Sequence, residues 1–229
     1  MSNSRKVIEL FYDVVSPYSW LGFEVLCRYR TVWNVDLRLR PAFLGGVMKE
    51  SGNRPPAMVP NKALYMTADL NRLAQYYNIP LHHPSNPFEA MFEKGSLNAM
   101  RFLTAVSEKD KAGDGLVEKV SRELWNRIWS NDQDITLPAS FLEAGLKAGL
   151  SAGEIEELLK LAKSQQVKDK LKRTTEEALE HKAFGFPLTV CHVDGKKEVF
   201  FGSDRFEVMA YCIGEKWLGP QPVKPTSKM

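Results

Sequence analysis

The chain is poor in the residues that bind metals or carry redox chemistry. It has 3 cysteines and 4 histidines in 229 residues. Cys27, Cys191 and Cys212 lie far apart, form no Cys-x-x-Cys pair and are odd in number, which argues against a disulfide framework. They read as small apolar residues of a reducing compartment. His82 and His83 sit together before Pro84, while His181 and His192 stand apart. A zinc site needs more ligands in one place, so no metal is expected. No apolar run approaches the roughly 18 residues of a membrane span, so no membrane partner is expected either. Neither charge sign dominates: 31 Lys and Arg against 28 Asp and Glu leave +3. Without a concentrated basic face, nucleic acid is not an expected partner. Met1 to Lys6 offers neither the apolar core of a secretory signal nor a long Arg-rich stretch.

What is present suits a globular protein. At 44% hydrophobic and 26% charged residues, the chain has enough apolar surface for one large domain or two small ones. Val7–Tyr12 is a mostly apolar run, as in a strand covered on both faces. It stops at Ser16-Pro17, where a capping serine and a first-position proline open a helix over residues 19–33. Val35, Leu37, Leu39 and Pro41 then alternate with Asp36, Arg38 and Arg40, the period of a strand with one buried face. A tight β-α-β unit implies a parallel pair. Residues 45–60 hold three glycines and three prolines and are expected to be an irregular, functional loop.

Helical patterns fill the middle, over residues 62–77, 96–107, 116–129, 138–148, 151–162 and 167–182. Ile155, Leu158, Leu159 and Ala162 mark one apolar face, Val167, Leu171 and Ala178 another, and Glu156 pairs with Lys160 one turn on. Strands return at 188–193 and 197–201, joined by the hairpin signal Asp194-Gly195. Gly202-Ser203-Asp204 is expected to cap a last helix from Arg205 to Ile213, which Gly214 ends. The order is the thioredoxin topology with its middle replaced by helices. The expected fold class is therefore α/β. Residues 1–62 and 183–229 would form a thioredoxin-like domain, and residues 63–182 an inserted all-helical domain.

Three places in this topology carry chemistry. Helix N-termini favour anions, thiolates included, and thioredoxins place Cys-x-x-Cys there. Here the sequence is Ser16-Pro17-Tyr18-Ser19, which excludes dithiol redox chemistry. A hydroxyl can instead donate to a thiolate brought in by a substrate. Taken alone, Ser16 reads more readily as a simple helix cap, since Ser-Pro at helix starts is common. Phe186-Pro187 stands where this topology keeps a cis-proline, so Phe186 would present its backbone to a peptide-like ligand; an ordinary turn is the alternative. Ser203 and Asp204, at a second helix start, could hold the carboxylate and ammonium of an amino-acid head group, or serve only as a cap. The five tryptophans are dispersed and read as packing residues.

Five segments together carry a resemblance: Phe11 through Gly22 around Ser16-Pro17-Tyr18-Ser19-Trp20, Ser51-Gly52-Asn53-Arg54-Pro55-Pro56, Glu93-Lys94-Gly95-Ser96, Phe184-Gly185-Phe186-Pro187 and Phe201-Gly202-Ser203-Asp204-Arg205. They closely resemble the kappa class of glutathione S-transferases along nearly the whole chain. The bacterial 2-hydroxychromene-2-carboxylate isomerases belong to the same superfamily, and both look like the DsbA-type thioredoxin fold with a helical insertion. The resemblance implies that Ser16 is the catalytic hydroxyl on the glutathione sulfur, with Pro17 and Tyr18 lining the ligand. Asn53 would reach glutathione from across the cleft, and Lys62 is a weaker candidate for the glycyl carboxylate. Phe186 would pair its backbone with the cysteinyl residue, and Ser203 and Asp204 would hold the γ-glutamyl head.

The expected activity is thus glutathione conjugation to small hydrophobic electrophiles, a detoxification chemistry, with weak hydroperoxide reduction alongside. Glutathione is the cosubstrate and no other cofactor is expected. A glutathione-dependent cis–trans isomerase and a non-catalytic assembly or binding module remain alternatives on the same fold. The family implies a homodimer located in mitochondria or peroxisomes. The ending Ser227-Lys228-Met229, after a proline-rich tail, is close to the Ser-Lys-Leu peroxisomal address.

Overall fold

The computed structural model describes residues 5–110, 113 and 115–222. The Ser227-Lys228-Met229 ending lies outside them. Four strands, β1 (Val7–Tyr12), β2 (Asp36–Pro41), β3 (Leu188–Val193) and β4 (Lys196–Phe201), form one sheet in the order β2-β1-β3-β4. β1 runs parallel to β2 and antiparallel to β3, and β3 and β4 form the hairpin. Asp194 and Gly195 turn it with positive φ at both residues, the geometry that matches strand twist. β1 is buried on both faces. Ile8, Leu10 and Tyr12 enter the main core, while Phe11 packs with Val47, Ala178, Phe186 and Leu188 in a second cluster on the opposite face.

Helix α1 (Pro17–Tyr29) follows β1, with Ser16 as its cap. It ends four residues before Trp33; residues 30–34 form a turn that closes with positive φ at Asn34 before β2. The segment expected to be an irregular loop is largely ordered: α2 (Leu44–Ser51) and a 3-10 turn at Pro56–Met58 occupy it. The helical block between β2 and β3 comprises α3 (Pro60–Tyr77), α4 (Leu97–Lys109), α5 (Gly115–Trp125), α6 (Pro138–Lys147), α7 (Ala152–Ala162) and α8 (Gln165–Glu180). Two π-type turns, Glu89–Lys94 and Asn126–Ser130, were not foreseen. The second closes what periodicity reads as one helix to Trp129. Helix α7 opens with a full capping box between Ser151 and Glu154, and its Ile155, Leu158 and Ala162 are buried.

The main apolar core is continuous from the sheet into the helices, joining Ile8, Leu10 and Tyr12 to Phe102 of α4 and Trp125 of α5. The boundary drawn at 62/63 falls within α3, and that at 182/183 falls two residues beyond α8. At the seam, the Trp125 and Phe23 ring centroids lie 4.8 Å apart, and Trp20 stacks on Trp125 at 6.3 Å. The Tyr12 and Ser121 hydroxyls are 2.7 Å apart. Trp125 Nε1 donates to the Ser16 carbonyl at 3.2 Å, which ties the helical block to the start of α1. The last helix, α9 (Phe206–Cys212), has Arg205 at its cap position and no side-chain cap. Ser203 and Asp204 therefore do not cap it, contrary to the sequence reading. They stand two residues and one residue before the cap position, where the chain leaves β4.

Candidate active site

The two short apolar strands and the hairpin bring three chain turns to one end of the sheet. The first is the Ser16 turn. Asp13 O accepts from Ser16 N at 3.0 Å, and Ser16 Oγ accepts from Ser19 N at 3.1 Å as the α1 cap. The Ser16 hydroxyl points its proton toward the Phe186 carbonyl at a long 3.4 Å. The second turn is Phe186-Pro187, whose peptide bond is cis, as the topology argument expected. The third is Gly202-Ser203-Asp204, where Gly202 takes a φ of 96° and donates its N–H to the Pro187 carbonyl at 3.0 Å. A side chain would strain that backbone.

These turns form one wall of a cavity of about 680 Å³. Ser16, Pro17, Tyr18, Asn53, Phe186, Ser203 and Asp204 all line it. Lys62, in the first turn of α3, is exposed and is not among the lining residues. Ser19 is not either. It is fully buried and its hydroxyl has no partner among the described residues, so only the first of the two serines faces the cavity. The Asn53 amide donates to the Phe184 carbonyl at 2.6 Å, which fixes the chain after α2 against the cis-proline loop. Tyr77 OH donates to the Ser203 carbonyl at 2.8 Å. Burial, then the neighbouring Tyr76 and Asp204, push that phenol up to about 12.

The opposite wall is apolar and comes from the helices. Met48 of α2, Met66 and Leu73 of α3, and Met91 and Phe92 of the first π-type turn supply it. One carboxylate interrupts it: Asp69 accepts from Tyr18 OH at 3.0 Å and from Tyr65 OH at 3.4 Å. Burial first, then the bond to Asp69, raises the Tyr18 phenol well above its usual range. Sequence reading missed this pair, although Tyr65, Asp69 and Leu73 fall at helical i, i+4 spacing and share a face.

Asp13 was also missed. It is fully buried behind Ser16 and holds three segments at once. It accepts from Val15 N at 3.0 Å, Leu44 N at 2.9 Å and Ser96 Oγ at 2.8 Å, and all three partners line the cavity. Burial pushes its carboxyl up to about 6 against these bonds, each of which favours the anion. Two of the three thiols are held unreactive by burial. Burial drives Cys27 far above its usual range and Cys191 up to about 12, and all three cysteines are free. Among the described residues no cluster of three or more His, Cys, Asp or Glu is placed to hold a metal.

A serine at a helix N-terminus beside a cis-proline, within a thioredoxin-type sheet, places the chain among redox-fold proteins without a redox cysteine. The DsbA-like thioredoxin domain family matches residues 7–214. Glutathione S-transferase kappa 1 of Homo sapiens is 53% identical over 217 residues, covering 95% of both chains. The chain belongs to the kappa class of glutathione S-transferases. The protein of the same name from Rattus norvegicus is also 53% identical to this kappa-class enzyme, over 97% of both chains. In fold alone it is similar to a solved 2-hydroxychromene-2-carboxylate isomerase, with a TM-score of 0.71 at 22% identity, covering 91% of this chain and 94% of that one.

Proposed function

We propose that the cavity binds glutathione along its sheet-side wall, and that Ser16 holds the sulfur as thiolate for attack on a small electrophile seated against the helical wall. The observation that carries this reading is the state of the Ser16 hydroxyl. One of its lone pairs accepts from the Ser19 N–H of the cap. Its proton makes only a 3.4 Å contact with the Phe186 carbonyl and can turn to a stronger acceptor at little cost. A thiolate is such an acceptor. The N-terminus of α1 adds a favourable field for the same charge.

The magnitudes suffice. A hydrogen bond to a charged group contributes about 1.5–3 kcal/mol, and a helix N-terminus about 0.3–2 kcal/mol. Together they cover the ~3 kcal/mol needed to lower a thiol by about two pH units from its ordinary ~8.5. The thiolate would then dominate near neutrality. Phe186 supports the cysteinyl residue by its backbone, since its N–H has no hydrogen-bond partner among the described residues. Ser203 N–H suits the γ-glutamyl carboxylate and Asp204 the ammonium. In conjugation the sulfur forms the new carbon–sulfur bond while the leaving group departs with its electron pair. The same thiolate would reduce organic hydroperoxides weakly, with a second glutathione completing the disulfide.

The test is Ser16→Ala. Glutathione affinity should change little, because the head group and backbone contacts remain. Conjugation near neutral pH should fall by about tenfold to a hundredfold, the equivalent of one charge-assisted hydrogen bond. Unchanged turnover would refute the role of Ser16.

A further inference from the structure

Glutathione on the sheet-side wall leaves one charged group of the cavity without a task. Asp69 lies on the helical wall, between Met66 and Leu73 of the same helix and facing the cavity with Met91 and Phe92. Tyr18 and Tyr65 donate to its two oxygens at 3.0 and 3.4 Å. Two phenol donors fix its position. Nothing cancels it: among the described lining residues there is no lysine, arginine or histidine, and the other carboxylate is Asp204. Half-buried in an apolar wall, this charge acts on whatever enters the cavity.

We infer, on the reading that glutathione occupies the sheet-side wall, that Asp69 is a specificity-determining residue that selects the second substrate by charge. The cavity takes neutral and cationic electrophiles and rejects those bearing a carboxylate, sulfonate or phosphate. The reason is geometric. The attacking sulfur is itself anionic, so an anionic electrophile must settle between two like charges against a wall that offers no counter-ion. A neutral aromatic electrophile meets only methionine, leucine and phenylalanine side chains, and a cationic one gains Asp69. The rule also separates this enzyme from a 2-hydroxychromene-2-carboxylate isomerase, whose named substrate carries the excluded charge.

The experiment uses the full chain, glutathione and three aryl chlorides: neutral chlorodinitrobenzene, anionic chloronitrobenzoate and a cationic chloronitrophenyl trimethylammonium. Each kcat/KM is divided by the uncatalysed rate constant of glutathione thiolate with the same chloride, which removes intrinsic reactivity. The normalised value for the benzoate should lie about tenfold below that of the neutral chloride, the size of one like-charge contact at a partly buried site. The cation should equal or exceed the neutral compound. Asp69→Asn should raise the benzoate-to-neutral ratio by about the same tenfold. A wild-type ranking without regard to charge, or a ratio unmoved in Asp69→Asn, would overturn the inference; the wild-type ranking decides alone if that variant does not fold. Thiolate absorbance of bound glutathione is recorded in parallel. If the wild type shows none, the binding reading fails and takes this inference with it. If thiolate is present and the ranking is flat, charge selection alone is wrong.

Discussion

Asp13 offers a sharp thermodynamic test, because its burial and its hydrogen bonds pull in opposite directions. The carboxyl is fully buried and its pKa is raised from 3.8 to about 6. Between these values the folded chain keeps a proton that the unfolded chain has already released. Stability attributable to this group is therefore greatest below pH 4 and falls as pH rises through 6. Two pH units correspond to about 3 kcal/mol at 1.36 kcal/mol per unit. Asp13→Asn cannot ionise, so it lacks this slope. Its amide also turns a donor toward Leu44 N–H or Ser96, which sets its baseline lower by about 1–3 kcal/mol. The quantity to measure is the difference in unfolding free energy between variant and wild type, from urea titrations at pH 4 to 7. Taking the difference removes groups common to both, such as Glu9, whose titration works the other way. Burial raises Glu9, but the bond from His192 and the charge of Arg40 outweigh it and hold it below the ordinary range. The variant should gain about 3 kcal/mol relative to wild type across the interval. A difference that stays flat with pH would show that burial does not raise the Asp13 carboxyl above its unfolded value.

Two further substitutions probe separate links. Ser19→Ala removes a buried hydroxyl with no partner among the described residues, so it should leave stability unchanged or raise it by about 1 kcal/mol and leave conjugation intact; a large loss of either would mean that Ser19 has a role beyond filling space. In Gly145→Ala, the new Cβ would lie 2.7 Å from two atoms of Ile155 where α6 meets α7. Overpacking of about 1–3 kcal/mol outweighs the ~1 kcal/mol gained in helix propensity. Tm should fall by a few degrees, and a rise would refute the close contact.

Much of the fold can be read from local patterns because they act over a few residues. The alternation of Val35 to Pro41 and the Asp194-Gly195 turn place β2 and the hairpin within a residue of their observed limits. Helix α2 escaped notice because Gly45 and Gly46 suggest a loop. The second glycine is there for closeness: a Cβ on Gly46 would stand 3.2 Å from Thr175 Cγ2 of α8. Only tertiary packing explains it. The same holds for the site. Ser16 and Phe186 are marked by a helix start and a strand entry, and Ser203 by the Gly202-Ser203-Asp204 turn after the last strand, which are local signals. Asp13 meets Leu44 and Ser96 across 31 and 83 residues, and Asp69 meets Tyr18 across 51. No spacing rule reaches that far, so these carboxylates emerge only once the chain is folded.

The claim on which the rest depends is that Ser16 and the start of α1 turn a bound thiol into a thiolate. The direct measurement is the ultraviolet thiolate absorbance of glutathione bound to the full chain, titrated against pH in wild type and in Ser16→Ala. The wild-type midpoint should fall about two units below the ordinary ~8.5 of a free thiol, and the variant's should return most of the way toward it. A midpoint near 8.5 in the wild type, or one that does not move when the hydroxyl is removed, would contradict it.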